Sequence, residues 1–125
     1  MSENWTELAT TLGIKVITWT AEECVIEMPT RDVRQPYGVL HGGINGVGVE
    51  HAGSLLAHSN APEGKIAVGT EMSVSHLAPN RSDRVRARAT VIKAGRSTFT
   101  TLVDITDAAG NLTASGRLTC VYITP

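Results

Sequence analysis

An α+β domain with a mostly antiparallel sheet is the fold class this sequence predicts, on three observations. Two strand-like segments precede one long apolar stretch of helical character, and four extended segments then run in succession with no helix between them. In Arg84-Val-Arg-Ala-Arg-Ala-Thr-Val91 the arginines share one face of a strand and the small apolar residues the other, so one side of the sheet meets a core. The central stretch is apolar enough to need cover from a strongly curved sheet wrapped around it.

Taken in order, Ser2 can cap a short first helix whose apolar residues Trp5, Leu8 and Leu12 fall on one side, and Gly13 is placed to end it. Ile14–Thr20 and Glu22–Met28 read as two strands joined by a tight turn, with Pro29 stopping the second. Residues 30–42 form a loop, and the glycine-containing central helix follows over about 43–59. Ile44, Val47, Val49, Leu55 and Leu56 supply its apolar surface, and its glycines let it press close to its surroundings. Asn60-Ala-Pro-Glu-Gly64 ends it with turn residues. Extended segments then occupy about 65–78, 84–94, 97–107 and 112–123, separated by turns at Pro79-Asn80, Gly95 and Ala109-Gly110-Asn111.

A chain of 125 residues fits a single domain, residues 1–125, able to bury a core without disulfides or structural metal. The net charge of -1 gives no reason to expect nucleic acid or an anionic membrane as partner. No apolar run approaches the roughly 20 residues of a membrane span. Met1-Ser-Glu-Asn-Trp5 has neither the basic start nor the apolar run of an export signal, so a cytoplasmic location is expected. Cys24 and Cys120 sit far apart in strand-like sequence and are expected to be buried reduced thiols.

Glu50 is out of place in its apolar helix, and a charged side chain in such a setting is a candidate for chemistry. Ser54 lies four residues on, one turn above it on the same face, where a hydroxyl can orient a water beside a carboxylate. Glu50 could then serve as nucleophile or as general base; a plainer alternative is pairing with His51 or an arginine. Gly42 and Gly43 open the helix, where unpaired N–H groups and the positive end of the dipole favour developing negative charge, or they merely make a tight entry turn. Gln35 and His41, in the preceding loop, could each donate a hydrogen bond to the same oxygen, though a histidine here is often structural. Gly42 and Glu50 are eight residues apart, about 12 Å along a helix axis, too far for both to reach one carbonyl easily. If both act on one atom, they come from different chains of a two-fold dimer. The four histidines offer no helical metal pair at spacing three or four. Ser54 lies outside any Gly-x-Ser-x-Gly elbow.

These residues resemble the hot-dog-fold acyl-CoA thioesterases, in the branch of the phenylacetate-pathway, 4-hydroxybenzoyl-CoA and 1,4-dihydroxy-2-naphthoyl-CoA thioesterases. The shared pattern is Gln-x5-His-Gly-Gly-x6-Glu-x3-Ser/Thr, and Gln35, His41, Gly42, Gly43, Glu50 and Ser54 fit it without a gap. The resemblance runs on through Val68-Gly-Thr-Glu-Met-Ser-Val-Ser-His76-Leu-Ala-Pro79 and covers about residues 12–123. It implies a hot-dog fold and hydrolysis of an acyl-CoA, aromatic by family likeness, to free acid and coenzyme A. By the same likeness Glu50 is the catalytic carboxylate, Gly42 N–H and Gln35 polarise the carbonyl, His41 supports that end, and Ser54 positions water or Glu50. Gly43 and His76 are expected at the substrate, His76 lining the acyl pocket. The expected assembly is a homodimer, often paired into a tetramer, with no cofactor beyond the coenzyme A of the substrate and no metal. Gly46 and Gly48 stand where relatives often carry alanine or similarly small residues, and His51 directly follows the acid.

The coenzyme A phosphates need cations or loop N–H groups, for which Arg81, Arg84 and the turn Lys93-Ala-Gly-Arg96-Ser97 are candidates, Arg96 and Ser97 among them as substrate-binding residues. Arg86 and Arg88 fit equally a solvated basic edge strand. Two other readings compete with hydrolysis. A non-catalytic acyl-CoA or small-ligand binding module would keep the fold, against which Gln35, Glu50 and Ser54 all stand. A hot-dog hydratase or dehydratase would carry a Gly-Asp-x-Asn-Pro-x-His run that this chain lacks.

Overall fold

Two helices and six strands make up the computed structural model over its described residues, 6–125. They are α1 (Thr6–Leu12), β1 (Lys15–Trp19), β2 (Glu23–Pro29), α2 (Gly42–Ser59), β3 (Ile66–His76), β4 (Arg84–Ala94), β5 (Thr98–Asp107) and β6 (Leu112–Ile123). The expected cap Ser2 and the apolar Trp5 lie outside the described residues. Gly13, at φ +71°, ends α1 as anticipated. The Ile14 N–H reaches back to the Ala9 carbonyl at 2.8 Å, a left-handed closure that glycine adopts without steric cost.

All six strands join one sheet in the order β1-β2-β4-β5-β6-β3, and every neighbouring pair is antiparallel. The chain leaves β2, crosses the sheet as α2 and re-enters at the far edge as β3. It then crosses back to β4, which pairs with β2, and the β4–β5–β6 meander runs outward until β6 pairs with β3. This crossover corrects one expectation. β4 lies inside the sheet, so Arg86 and Arg88 do not decorate an edge; they project from the outer face and pair with β2. Arg86 Nη2 meets Glu27 Oε2 and Arg88 Nε meets Glu23 Oε2, each at 2.7 Å. The real edges are β1 and β3.

The inner face of β4 carries Val85, Ala87 and Ala89, all buried, and α2 lies against it. Val49, Ala52, Leu55 and Leu56 of α2 are wholly buried with Ile26, Phe99, Val103 and Ile105 from the sheet. Small residues bring helix and sheet together. A Cβ on Gly48 would stand 3.0 Å from Ile105 Cδ1 and 3.3 Å from Ala87 Cβ. One on Gly53 would stand 2.7 Å from Leu118 Cδ2 and 2.9 Å from Thr101 Cγ2. The far end of α2 is tied down by Trp19, whose Nε1 donates to the Leu55 carbonyl at 2.8 Å, and by Asn60, whose Nδ2 donates to the Leu56 carbonyl at 2.9 Å. Among the described residues no helix is long and apolar enough to cross a membrane.

The seating of α2 makes one substitution change sign with position. Glycine to alanine in a helix gains about 1 kcal/mol of propensity, and a Cβ on Gly46 meets nothing nearer than Met72 Cε at 3.4 Å. Gly46→Ala is expected to raise stability by about 0.5–1 kcal/mol. Gly53→Ala is expected to lower it by about 1 kcal/mol or more, because the new methyl must displace Leu118 and Thr101. Guanidinium unfolding midpoints of the two variants check the opposite signs.

Candidate active site

Helical periodicity gives α2 a second face beside the one it buries. Gly43, Gly46, Val47, Glu50, His51 and Ser54 recur at steps of three and four, and together they wall a cavity of about 600 Å³. Met72, Val74 and His76 of edge strand β3 form the opposite wall, and Leu8 of α1 closes one side. The lining is glycine and aliphatic side chain, interrupted by one carboxylate, one hydroxyl and two imidazoles.

Glu50 is exposed within this wall and its carboxylate rests on β3. A Cβ on Gly69 would come 2.8 Å from Glu50 Oε1, so only glycine leaves the acid its place. The strand bulges at this point, between Gly69 and Glu71, where the ladder to β6 shifts register. Cys120 pairs with Gly69 across the ladder, and burial together with the nearby Glu50 charge pushes its thiol up to about 11. Burial, with Glu23 adding, pushes Cys24 to about 12. Both thiols are free, buried and poor nucleophiles. Ser54, one turn beyond Glu50, is half-buried, and its hydroxyl has no hydrogen-bond partner among the described residues.

At the start of α2, His41 is the N-cap in extended conformation, and its Nδ1 accepts the Gly43 N–H at 2.9 Å. The structural role weighed for His41 is therefore real, and of its two ring nitrogens only Nε2 is left for other use. The Gly42 N–H has no partner among the described residues and sits at the positive end of an 18-residue helix. His76 lies directly over Gly42, whose added Cβ would stand 3.0 Å from the ring's Cε1.

Gln35 reaches this helix start from the other side. It lines a second cavity of about 440 Å³ with Asn45, Leu77, Pro79 and Asn80, and Gly42 and His76 belong to both cavities. Its loop is braced. The Gln35 N–H donates to the Val39 carbonyl at 2.8 Å around a turn with Gly38 at φ +78°, Leu40 N–H donates to the Asn80 carbonyl at 2.9 Å, and Thr30 Oγ1 donates to the Ser82 carbonyl at 2.6 Å.

The structure thus gathers Gly42, Gly43, Glu50, Ser54 and His76 on one cavity, with Gln35 next door and His41 holding the helix start. Arg96 and Ser97 join neither cavity; they form the β4–β5 turn, where the Ser97 carbonyl accepts the Tyr122 N–H at 3.0 Å. Arg84 leans on Glu27 at 3.7 Å. Arg81 follows Asn80 at the second cavity, its Nη1 3.5 Å from the Tyr37 carbonyl. One residue escaped the sequence reading. Asn45 is only 6% exposed and its Nδ2 lies 3.1 Å from His76 Nδ1. Its signal was the one that marked Glu50, a polar side chain in an apolar helix.

The chain is similar to known proteins over most of its length. The model of the thioesterase superfamily matches residues 37–114. A 1,4-dihydroxy-2-naphthoyl-CoA hydrolase of Listeria monocytogenes is 34% identical over 113 residues, 90% of this chain and 92% of that one. The proofreading thioesterase EntH of Klebsiella pneumoniae is 33% identical over 109 residues, 86% of this chain and 79% of that one. The crystal structure of a thioesterase from Haemophilus influenzae superposes with a TM-score of 0.91 at 34% identity, covering 98% of this chain and 87% of that one.

His51 gives this wall a pH dependence. Burial lowers its pKa below the ordinary 6.5, so the unfolded chain binds this proton more readily than the folded one. Its contribution to stability is full above 6.5 and lost as pH falls through that value toward the folded pKa. Stability is expected to drop between about pH 7 and about pH 5, and to drop less in His51→Gln. Denaturant titrations at both pH values measure the difference.

Proposed function

This chain belongs to the thioesterase superfamily and is a thioester hydrolase, and we propose that it cleaves acyl-CoA thioesters with an aromatic acyl group to the free acid and coenzyme A. One observation carries the reading: Glu50 and Ser54 share a glycine-rich cavity with the unpartnered N–H of Gly42. Gly42, Gly43 and Gly46 leave a slot free of side chains beside α2, and Met72 offers a polarisable edge, both suited to a ring. The named substrate of the Listeria relative is a bicyclic aromatic acyl-CoA, in keeping with such a slot.

The chemistry follows from these groups. The thioester oxygen accepts the Gly42 N–H, with Gln35 as a further donor from the second cavity, and the carbonyl carbon becomes electrophilic. Glu50 either attacks that carbon, giving an anhydride that water then opens, or takes a proton from a water that Ser54 holds. Both routes release the thiol of coenzyme A and the carboxylic acid, consuming one water. No cofactor is needed beyond the coenzyme A of the substrate, and two free buried thiols fit the cytosolic setting this reading assumes.

One chain's Gly42 and Glu50 stand about 12 Å apart along α2, so the reading calls for a two-fold dimer in which the start of one α2 meets the middle of its mate. The eleven-residue edge strand β3, with Met72 45% exposed beside the cavity, is the natural seam. Pairing of dimers into tetramers, and phosphate binding by Arg81, Arg96 or Ser97, belong to the same proposal.

Thiol release over benzoyl-, phenylacetyl-, naphthoyl- and straight-chain acyl-CoAs tests it. Aromatic substrates are expected to turn over fastest, and Glu50→Gln to lose about 10³-fold in kcat while ligand binding is largely kept. Equal rates in the two proteins would remove Glu50 from the mechanism. Tight retention without thiol release in the unmodified protein would favour a binding module, and loss of an enoyl double bond with sulfur still acylated a hydratase. Gly69→Ala is expected to cost about tenfold or more in kcat with little change in melting temperature, since its methyl displaces only the flexible tip of Glu50.

A further inference from the structure

We propose that Asn45 is a positioning residue that holds the His76 ring as its Nε2–H tautomer, so that this N–H stands beside the Gly42 N–H as an additional donor to the substrate carbonyl. The inference rests on the reading above, in which the start of α2 receives the thioester oxygen.

The hydrogen bond sets the tautomer. Asn45 Nδ2 is a donor only, and it lies 3.1 Å from His76 Nδ1, so Nδ1 must offer a lone pair and the ring proton must sit on Nε2. The ring is also fixed in place. Its Cε1 and Nε2 lie over Gly42, where an added Cβ would stand 3.0 and 3.2 Å away, and Nε2 has no partner among the described residues. Gly42 and His76 are the wall shared by the two cavities, so a donor on Nε2 stands between the Glu50 side and the Gln35 side.

Asn45 itself makes little sense as a core residue. Its Oδ1 is buried without a partner among the described residues, an arrangement that costs stability and that an aliphatic side chain would avoid. What the amide provides that an aliphatic residue cannot is the hydrogen bond to His76. The same contact gives Gly42 a second reason to be glycine, since any side chain there would push the ring away from the helix start.

Nitrogen-15 spectra of the histidine rings in the full-length protein read the tautomer directly, independently of activity. The expected result is an unprotonated Nδ1 and a protonated Nε2 at His76, giving way to a mixture in Asn45→Ala. In the near-isosteric Asn45→Asp, where an acceptor replaces the donor, Nδ1 is expected to carry the proton. In thiol-release assays Asn45→Ala is expected to lower kcat about tenfold, but less than about twofold in a His76→Ala background, because the residue acts through the ring. A ring protonated on Nδ1 in the unmodified protein, a tautomer that ignores Asn45, or additive losses in the double variant would overturn the proposal. An Nε2–H ring in a protein that hydrolyses no thioester would instead remove the hydrolase reading, and the donor role with it.

Discussion

The depth at which α2 sits in the curve of the sheet is the constraint on which the rest depends. Gly48 lies against Ile105 and Ala87, Gly53 against Leu118 and Thr101, and from the sheet side Gly116 leaves Val49 its place. Contacts this close permit one rotation of the helix about its axis. That rotation turns Val49, Ala52, Leu55 and Leu56 into the core and, by the helical period alone, turns Gly43, Gly46, Val47, Glu50, His51 and Ser54 toward β3. A change in helix depth would therefore move the carboxylate off Gly69 and the Gly42 N–H from under His76 together.

The fold was legible in the sequence because local and global signals agree. β4, β5 and β6 carry clear alternation, most turns carry glycine, proline or asparagine, and from the end of α1 onward the elements begin and end within a residue or two of expectation. Strand order was less legible. Nothing local in Arg84–Val91 says which strands flank it, since alternation reports faces and not neighbours. The α2 crossover decides that, by sending β3 to the far edge and leaving β4 beside β2. The arginines that suggested an edge are instead matched to Glu27 and Glu23 across the β2–β4 ladder.

In the site, the residues legible in advance were those whose type clashes with its surroundings. Glu50 in an apolar helix and a glycine pair at a helix start both announce themselves. Gln35 and His41 were legible only as candidate donors from their place before the helix, and His76 needed family likeness to single it out, because polar residues in loops and at strand ends are ordinary. Asn45 was missed although it breaks the same rule as Glu50, since its partner lies 31 positions away on β3. His41 shows the converse: its loop position invited a direct role, and the structure gives its Nδ1 to the helix cap.

An exposed carboxylate in an apolar groove is an unusual thing for one chain to maintain, and the geometry points to what would resolve it. Among the described residues Glu50 makes no ion pair with Arg or Lys, and its oxygens lie against the backbone of a bulged edge strand that still offers unpaired N–H and C=O groups. Both features would be liabilities in a permanent monomer, the edge for aggregation and the groove for stickiness. Pairing through β3 would answer both at once, covering the edge and drying the groove. A drier groove would also strengthen the field of each donor and of the carboxylate. The dimer proposed for the reaction, with a Gly42 N–H of one α2 meeting the Glu50 of the other, would in that way protect the fold as well.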